Sequence, residues 1–121
     1  MARILVVEDD AVTQKIVSTL LEKSGHEVEC CDDGLEGLYS LKHDGSFDMV
    51  IADIRMPYID GRMLVKAMRQ NSELKTVPIL LMSGVVGPKC IDELCQDGVT
   101  AFIAKPIKSD EVLEYVNRYV N

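Results

Sequence analysis

The sequence predicts a five-stranded, doubly wound α/β sandwich, a parallel sheet with helices on both faces. Three observations carry that prediction. Apolar strand-like runs alternate with amphipathic stretches, and the alternation repeats five times. The runs are largely continuous rather than alternating in polarity, as expected of strands buried on both faces. The connections are short, which specifies parallel strands with right-handed crossovers.

The first run is Ile4-Leu5-Val6-Val7, followed by Val12, Ile16, Val17, Leu20 and Leu21 at helical spacing. Asp9 or Asp10 can cap that helix and Ser24-Gly25 can end it. Residues 27–31 form a more polar run, expected at a sheet edge. Asp33-Gly34 opens a second helix with Leu35, Leu38 and Leu41 on one face, closed by residues 43–46. Gly37 inside it should cost roughly 1 kcal/mol relative to Ala. The third strand covers residues 49–54. The third helix runs from Gly61 to Gln70, burying Leu64, Ala67 and Met68. Pro78 starts a fourth strand, Ile79-Leu80-Leu81-Met82, which ends at Ser83-Gly84. Pro88 suits the first position of a fourth helix, with Ile91, Leu94 and Cys95 inward and Gly98 at its end. The fifth strand, residues 101–104, ends at Lys105-Pro106. Ser109, with Glu111 soon after, opens a last helix carrying Val112, Leu113, Val116, Tyr119 and Val120 inward. The flavodoxin-like strand order 2-1-3-4-5 puts the first and third strands at the switch point, where ligands bind.

Composition narrows the function classes. The 121 residues and 13.4 kDa fit one domain, residues 1–121, with no linker, repeat or low-complexity stretch. A net charge of −7 and a pI near 4.7 argue against nucleic-acid binding by bulk electrostatics. No apolar run approaches the roughly 18 residues of a membrane span, and Met1-Ala2-Arg3 does not lead into a signal peptide. Cys30, Cys31, Cys90 and Cys95 match neither a zinc knuckle nor a C-x-x-C redox motif. They read as buried or half-buried reduced thiols, and the expected location is cytoplasmic. His26 and His43 fall in turns and carry no assigned role.

The chemistry gathers at the carboxyl edge of the sheet. The first strand ends in Glu8-Asp9-Asp10, the third in Asp53, the fourth in Ser83-Gly84 and the fifth in Lys105-Pro106. Three acids brought together repel one another, so a fold keeps them for a hard cation, a shared proton or a covalent task. The set is oxygen-rich and histidine-free, which suits Mg²⁺ rather than zinc or copper. The Ser83 hydroxyl, the Gly84 N–H and the Lys105 ammonium are the donors that phosphoryl oxygens need. A carboxylate beside a divalent ion and facing such donors is arranged to be phosphorylated.

At these residues the chain resembles the receiver domain of two-component response regulators, from about residue 4 to residue 119. The signatures are ILVVEDD, the DIRMPYIDG run from Asp53, LLMSG ending at Gly84, and GVTAFIAKP ending at Pro106. The resemblance implies a regulatory switch rather than an enzyme acting on other substrates. Asp53 would accept a phosphoryl group from a phosphohistidine on a sensor histidine kinase or histidine phosphotransfer protein, or from a small phosphodonor. Asp9 would bind Mg²⁺ directly, Glu8 largely through water, and the backbone carbonyl of Arg55 would be a further ligand, alongside Asp53. Ser83 would contact a phosphoryl oxygen, and Lys105 would pair with the carboxylate and then the phosphate. Phe102 matches an aromatic switch position that turns inward on activation. The bond between Lys105 and Pro106 is expected to be cis. The output surface, for a downstream protein target or a second copy, would be the fourth helix, fifth strand and fifth helix.

Arg55 and Val85 fall where the family varies and where side chains tune the lifetime of the phosphoryl group. Cationic Arg55 can contact or shield it, and apolar Val85 cannot position an attacking water, so slow self-dephosphorylation is expected. Three other readings fit less well. A Mg²⁺-dependent phosphohydrolase would need a second acid where Arg55 stands, and a cap insertion for which there is no room. A flavin module would need a Ser-, Thr- and Gly-rich loop where Glu8-Asp9-Asp10 repels anions. An unphosphorylated docking domain would not need the acids at all.

Overall fold

The strands form where the apolar runs stand: β1 at Arg3–Val7, β2 at Glu27–Cys31, β3 at Met49–Asp53, β4 at Ile79–Ser83 and β5 at Ala101–Ala104. Between them lie α1 (Ala11–Lys23), α2 (Gly34–His43), α3 (Gly61–Gln70) and α4 (Pro88–Asp97), with α5 (Ser109–Val120) last. The computed structural model describes residues 1–44, 46–84 and 87–120. All four strand pairings are parallel, and the order is β2-β1-β3-β4-β5, as the sequence predicts.

Alternate strand residues feed two cores. On one face Leu5, Val7, Val50, Ala52 and Leu81 pack with Leu41 of α2, Leu64 and Met68 of α3, and Leu94 of α4. On the other, Ile4, Val6, Ile51, Leu80 and Ile103 pack with Val17 and Leu21 of α1 and Val112 and Val116 of α5. Burying each large aliphatic side chain contributes roughly 1.5–3 kcal/mol. The central strands are therefore clamped from both sides, and their ends are fixed platforms for whatever follows them.

Side-chain caps set where the first three helices begin. Asp10, Asp33 and Asp60 each accept a backbone N–H in the first turn of α1, α2 and α3, from Thr13, Glu36 and Met63. The capping of α1 by Asp10 leaves Asp9 free to face the cleft. Pro88 opens α4, and Gly98 ends it at φ 104°, a left-handed conformation that glycine adopts without strain.

The helix faces depart from expectation on three helices, α1, α2 and α4. Val12 and Ile16 of α1 are 66% and 49% exposed, because α1 rests on the sheet along a narrower stripe through Val17, Ser18 and Leu21. Leu35, in the first turn of α2, is 55% exposed, while Leu38 and Leu41 turn inward. In α4 only Leu94 is buried; Ile91 and Cys95 lie to either side of its line and are exposed. Cys95 is thus a surface thiol, whereas Cys31 is buried and Cys30 and Cys90 are half-buried; all four are free. Ala67, Leu113, Tyr119 and Val120 are half-buried.

Gly37 has a reason that helix propensity misses. A Cβ there would sit 2.8 Å from Val7 Cγ2, so alanine would force α2 or Val7 to shift. Likewise a Cβ on Gly61 would come within 2.7 Å of the Asp53 carbonyl, so α3 starts tight against the end of β3. The bond between Lys105 and Pro106 is cis, as expected. His26 Nδ1 accepts the Ala2 N–H and ties down the start of β1. Among the described residues no helix is long and apolar enough to cross a membrane.

Candidate functional site

Parallel register assembles the site. Val7 lies opposite Ala52, so Glu8 and Asp53 leave adjacent strands side by side. Met82 pairs with Asp53 and Ala104 with Ser83, which brings Ser83 and Lys105 to the same edge. The Lys105 N–H also donates to the Ser83 carbonyl at 2.8 Å, tying the two strand ends together.

Glu8, Asp9 and Asp53 each offer a carboxylate oxygen, all within 4.8 Å of one another. Lys105 Nζ donates to Glu8 Oε1 and to Asp53 Oδ2, both at 2.8 Å. The remaining oxygens are also engaged: Glu8 Oε2 accepts the Asp10 N–H, and Asp53 Oδ1 accepts the Arg55 N–H at 3.2 Å. Glu8 is fully buried, Asp53 nearly so, and Asp9 exposed.

Burial, helped by neighbouring Asp53, raises the Glu8 carboxyl to about 7 against the pull of the Lys105 and Asp10 hydrogen bonds. Burial alone would lower the Lys105 ammonium, but its hydrogen bonds to Asp53 and Glu8 outweigh that and hold it above the ordinary lysine value. Three carboxylates thus face one ammonium, and the surplus of negative charge is what a divalent cation would neutralise. The donors are all oxygen, and two of them are held by hydrogen bonds. The residues present fit a hard divalent cation.

Beside the acids opens a cavity of about 460 Å³ lined by Asp53, Ile54, Arg55, Ser83, Gly84, Gly87, Cys90 and Lys105. A second hollow of about 210 Å³ shares Ser83 and Gly84 with it and is lined on its far side by Phe102, Ile91 and Glu111. Ser83 and Gly84 are thus a wall shared by the acidic cavity and the hollow that Phe102 lines, and Phe102 is half-buried against the core. The Arg55 side chain is exposed at the cavity's rim. Val85 lies outside the described residues. Gly87 and Cys90 also line the cavity without being legible as site residues: Pro88 marks the start of α4 in the sequence, but not that its first turn lies against the acids.

The profile of the family described as "Response regulator receiver domain" matches residues 4–117. The chain belongs to this family. The two-component response regulator ORR3 of rice is 32% identical over 117 residues, spanning 97% of this chain and 89% of ORR3. The chemotaxis response regulator CheY4 of Vibrio cholerae shares the fold with a TM-score of 0.92 and 34% identity, over 98% of both chains. The receiver domain of the sensor histidine kinase PA1611 from Pseudomonas aeruginosa matches at a TM-score of 0.89 and 26% identity, covering 98% of this chain and 97% of that one. That relative was solved with a magnesium ion coordinated in its active site cleft. A receiver domain is a regulatory unit whose signal depends on phosphorylation, and this chain is a receiver of the two-component type.

Proposed function

We propose that residues 1–121 act as one phosphoacceptor unit, with Asp53 as the residue phosphorylated. One observation carries the reading: Lys105 bridges Asp53 and Glu8 at 2.8 Å each, in a cluster that includes Asp9. An ammonium between two acids at a cavity mouth would be an extravagant way to build a turn. It is a sound way to hold a nucleophile and then its phosphate.

Glu8, Asp9, Asp53 and the backbone carbonyl of Arg55 would hold Mg²⁺, by analogy with the ion in the cleft of the Pseudomonas relative. Bound there, Mg²⁺ supplies the charge neutralisation that lets an anionic nucleophile meet an anionic donor. Asp53 is steadied through Oδ1 by the Arg55 N–H, and its Oδ2 attacks the phosphorus of a phosphohistidine. The new O–P bond forms as the N–P bond breaks, and the imidazole leaves with the electron pair. Lys105 follows the negative charge from carboxylate to phosphoryl oxygen. Ser83 and the Gly84 N–H take the other oxygens. The donor is a sensor histidine kinase or a histidine phosphotransfer protein. By the same chemistry, the protein promotes only its own phosphorylation and dephosphorylation.

The wall shared by the two cavities supports a route outward. Closure of Ser83 on a phosphoryl oxygen enlarges the hollow beside Phe102, which then turns inward. The change would be read on the surface of α4, β5 and α5, by a downstream protein or by a second copy of the domain. Beryllofluoride with Mg²⁺ followed by amide NMR tests this. The reading expects shifts at Ser83, Phe102 and Lys105 in the wild type and none in Asp53→Asn. An equal response in both proteins would overturn the acceptor assignment.

A further inference from the structure

We infer that Gln14 is a positioning residue for the acidic pocket, holding the loop that carries Glu8 and Asp9 in the geometry a cation needs. The inference rests on the proposed metal site but concerns a residue to which that site gives no role. Gln14 stands in the first turns of α1, and its side-chain amide points back beneath the strand ends. Its Nε2 lies 3.0 Å from the Glu8 carbonyl, 3.1 Å from the Cys31 carbonyl and 3.0 Å from Asp32 Oδ1. All three neighbours are acceptors, so only the NH₂ end of the amide can face them. Two N–H groups serve three oxygens, one of them shared.

The same carbonyl of Cys31 also accepts the Glu8 N–H at 3.0 Å. Glu8 is therefore gripped on both sides of its Cα: its N–H by the end of β2, its carbonyl by Gln14. Asp9 follows directly on that carbonyl and, among the described residues, has no comparable anchor of its own. The position of the exposed Asp9 carboxylate in the cluster is inherited from this clamp. Asp10 closes the loop from the other end by capping α1. A neutral amide suits the task, since it donates to the backbone without offering a charge that competes with the cation. Partners that orient ligands from behind commonly change metal affinity by about 10–100-fold when removed. Gln14 acts through the backbone, so the lower end of that range is expected.

The test is Mg²⁺ affinity of the folded, metal-stripped protein, measured by isothermal titration for wild type, Gln14→Met, Gln14→Ala and Asp32→Asn. Methionine fills the same space without an N–H. The inference expects both Gln14 variants to bind Mg²⁺ about tenfold more weakly, and Asp32→Asn, which keeps both carbonyl contacts, to stay within about twofold. Gln14 variants that fold and bind within about twofold of wild type would overturn it. So would an Asp32→Asn loss as large as theirs, because the contact with the Asp32 side chain, rather than the grip on the two carbonyls, would then carry the effect. Failure of both Gln14 variants to fold would also overturn it, assigning the residue to the fold alone. Absence of Mg²⁺ binding in the wild type would instead overturn the metal site itself.

Discussion

At the scale of single residues, Glu8 is where the site opposes the fold. It is fully buried, its carboxyl is raised from 4.5 to about 7 chiefly by burial, and it sits beside Asp53. The native state therefore holds an extra proton between roughly pH 4.5 and 7, and that stabilisation is lost as pH rises through this window. Gln has no such titration and still accepts from Lys105. In EDTA, Glu8→Gln should gain stability over wild type on going from pH 5 to pH 8, by on the order of 2 kcal/mol in urea unfolding. A constant difference across that range would contradict the assignment. Arg55 makes the second residue-scale prediction. With its cationic side chain at the rim of the cavity, the phosphoryl group should survive for minutes or longer, and Arg55→Ala should shorten its life. Labelled phosphate lost from the wild type within seconds would contradict this.

At the scale of elements, strands were more legible than helix faces. A continuous run such as Met49-Val50-Ile51-Ala52 has no other sensible place in a small domain than the middle of a sheet. The acids and the lysine could be located at one edge because parallel topology puts every strand's carboxyl end there. Helix faces were legible only in outline, because the angle at which a helix meets the sheet is set by packing. Hence Val12, Ile16, Leu35 and Ile91 look inward by spacing alone and face solvent in the molecule. Gln14 was hidden by its type, since glutamine is ordinarily a surface residue. Its position held the clue: residues 14, 17, 18 and 21 make an i, i+3, i+4, i+7 stripe, and the last three are buried. Gly37 makes the prediction for this scale. Helix propensity favours alanine by about 1 kcal/mol, whereas overpacking against Val7 costs about 1–3 kcal/mol. Gly37→Ala should therefore be neutral or destabilising in thermal or urea unfolding. A gain near 1 kcal/mol would show that α2 can lift off β1 freely.

At the scale of the whole molecule, the question is whether one phosphoryl group can move an equilibrium. Driving a population from 1:99 to 99:1 takes about 5.5 kcal/mol of differential interaction. Two or three charge-assisted hydrogen bonds from Ser83, Gly84 and Lys105, at roughly 1.5–3 kcal/mol each, are of that order. In the proposed switch, the wall of Ser83 and Gly84 shared by the two cavities would be the link to Phe102. Because the chain has no tryptophan, Phe102→Trp would give a single reporter. Its emission should shift to shorter wavelength when beryllofluoride and Mg²⁺ are added, as the ring leaves water. Unchanged emission, with beryllofluoride binding verified independently, would remove Phe102 from the switch.

The decisive fact about this domain is where the phosphoryl group goes. Incubation with Mg²⁺ and phosphoramidate, a small donor with the N–P bond of phosphohistidine, should add one phosphoryl mass to the intact protein. That addition should be labile to hydroxylamine, map to Asp53 and be absent from Asp53→Asn. A stable modification elsewhere, or equal uptake by the variant, would contradict the account.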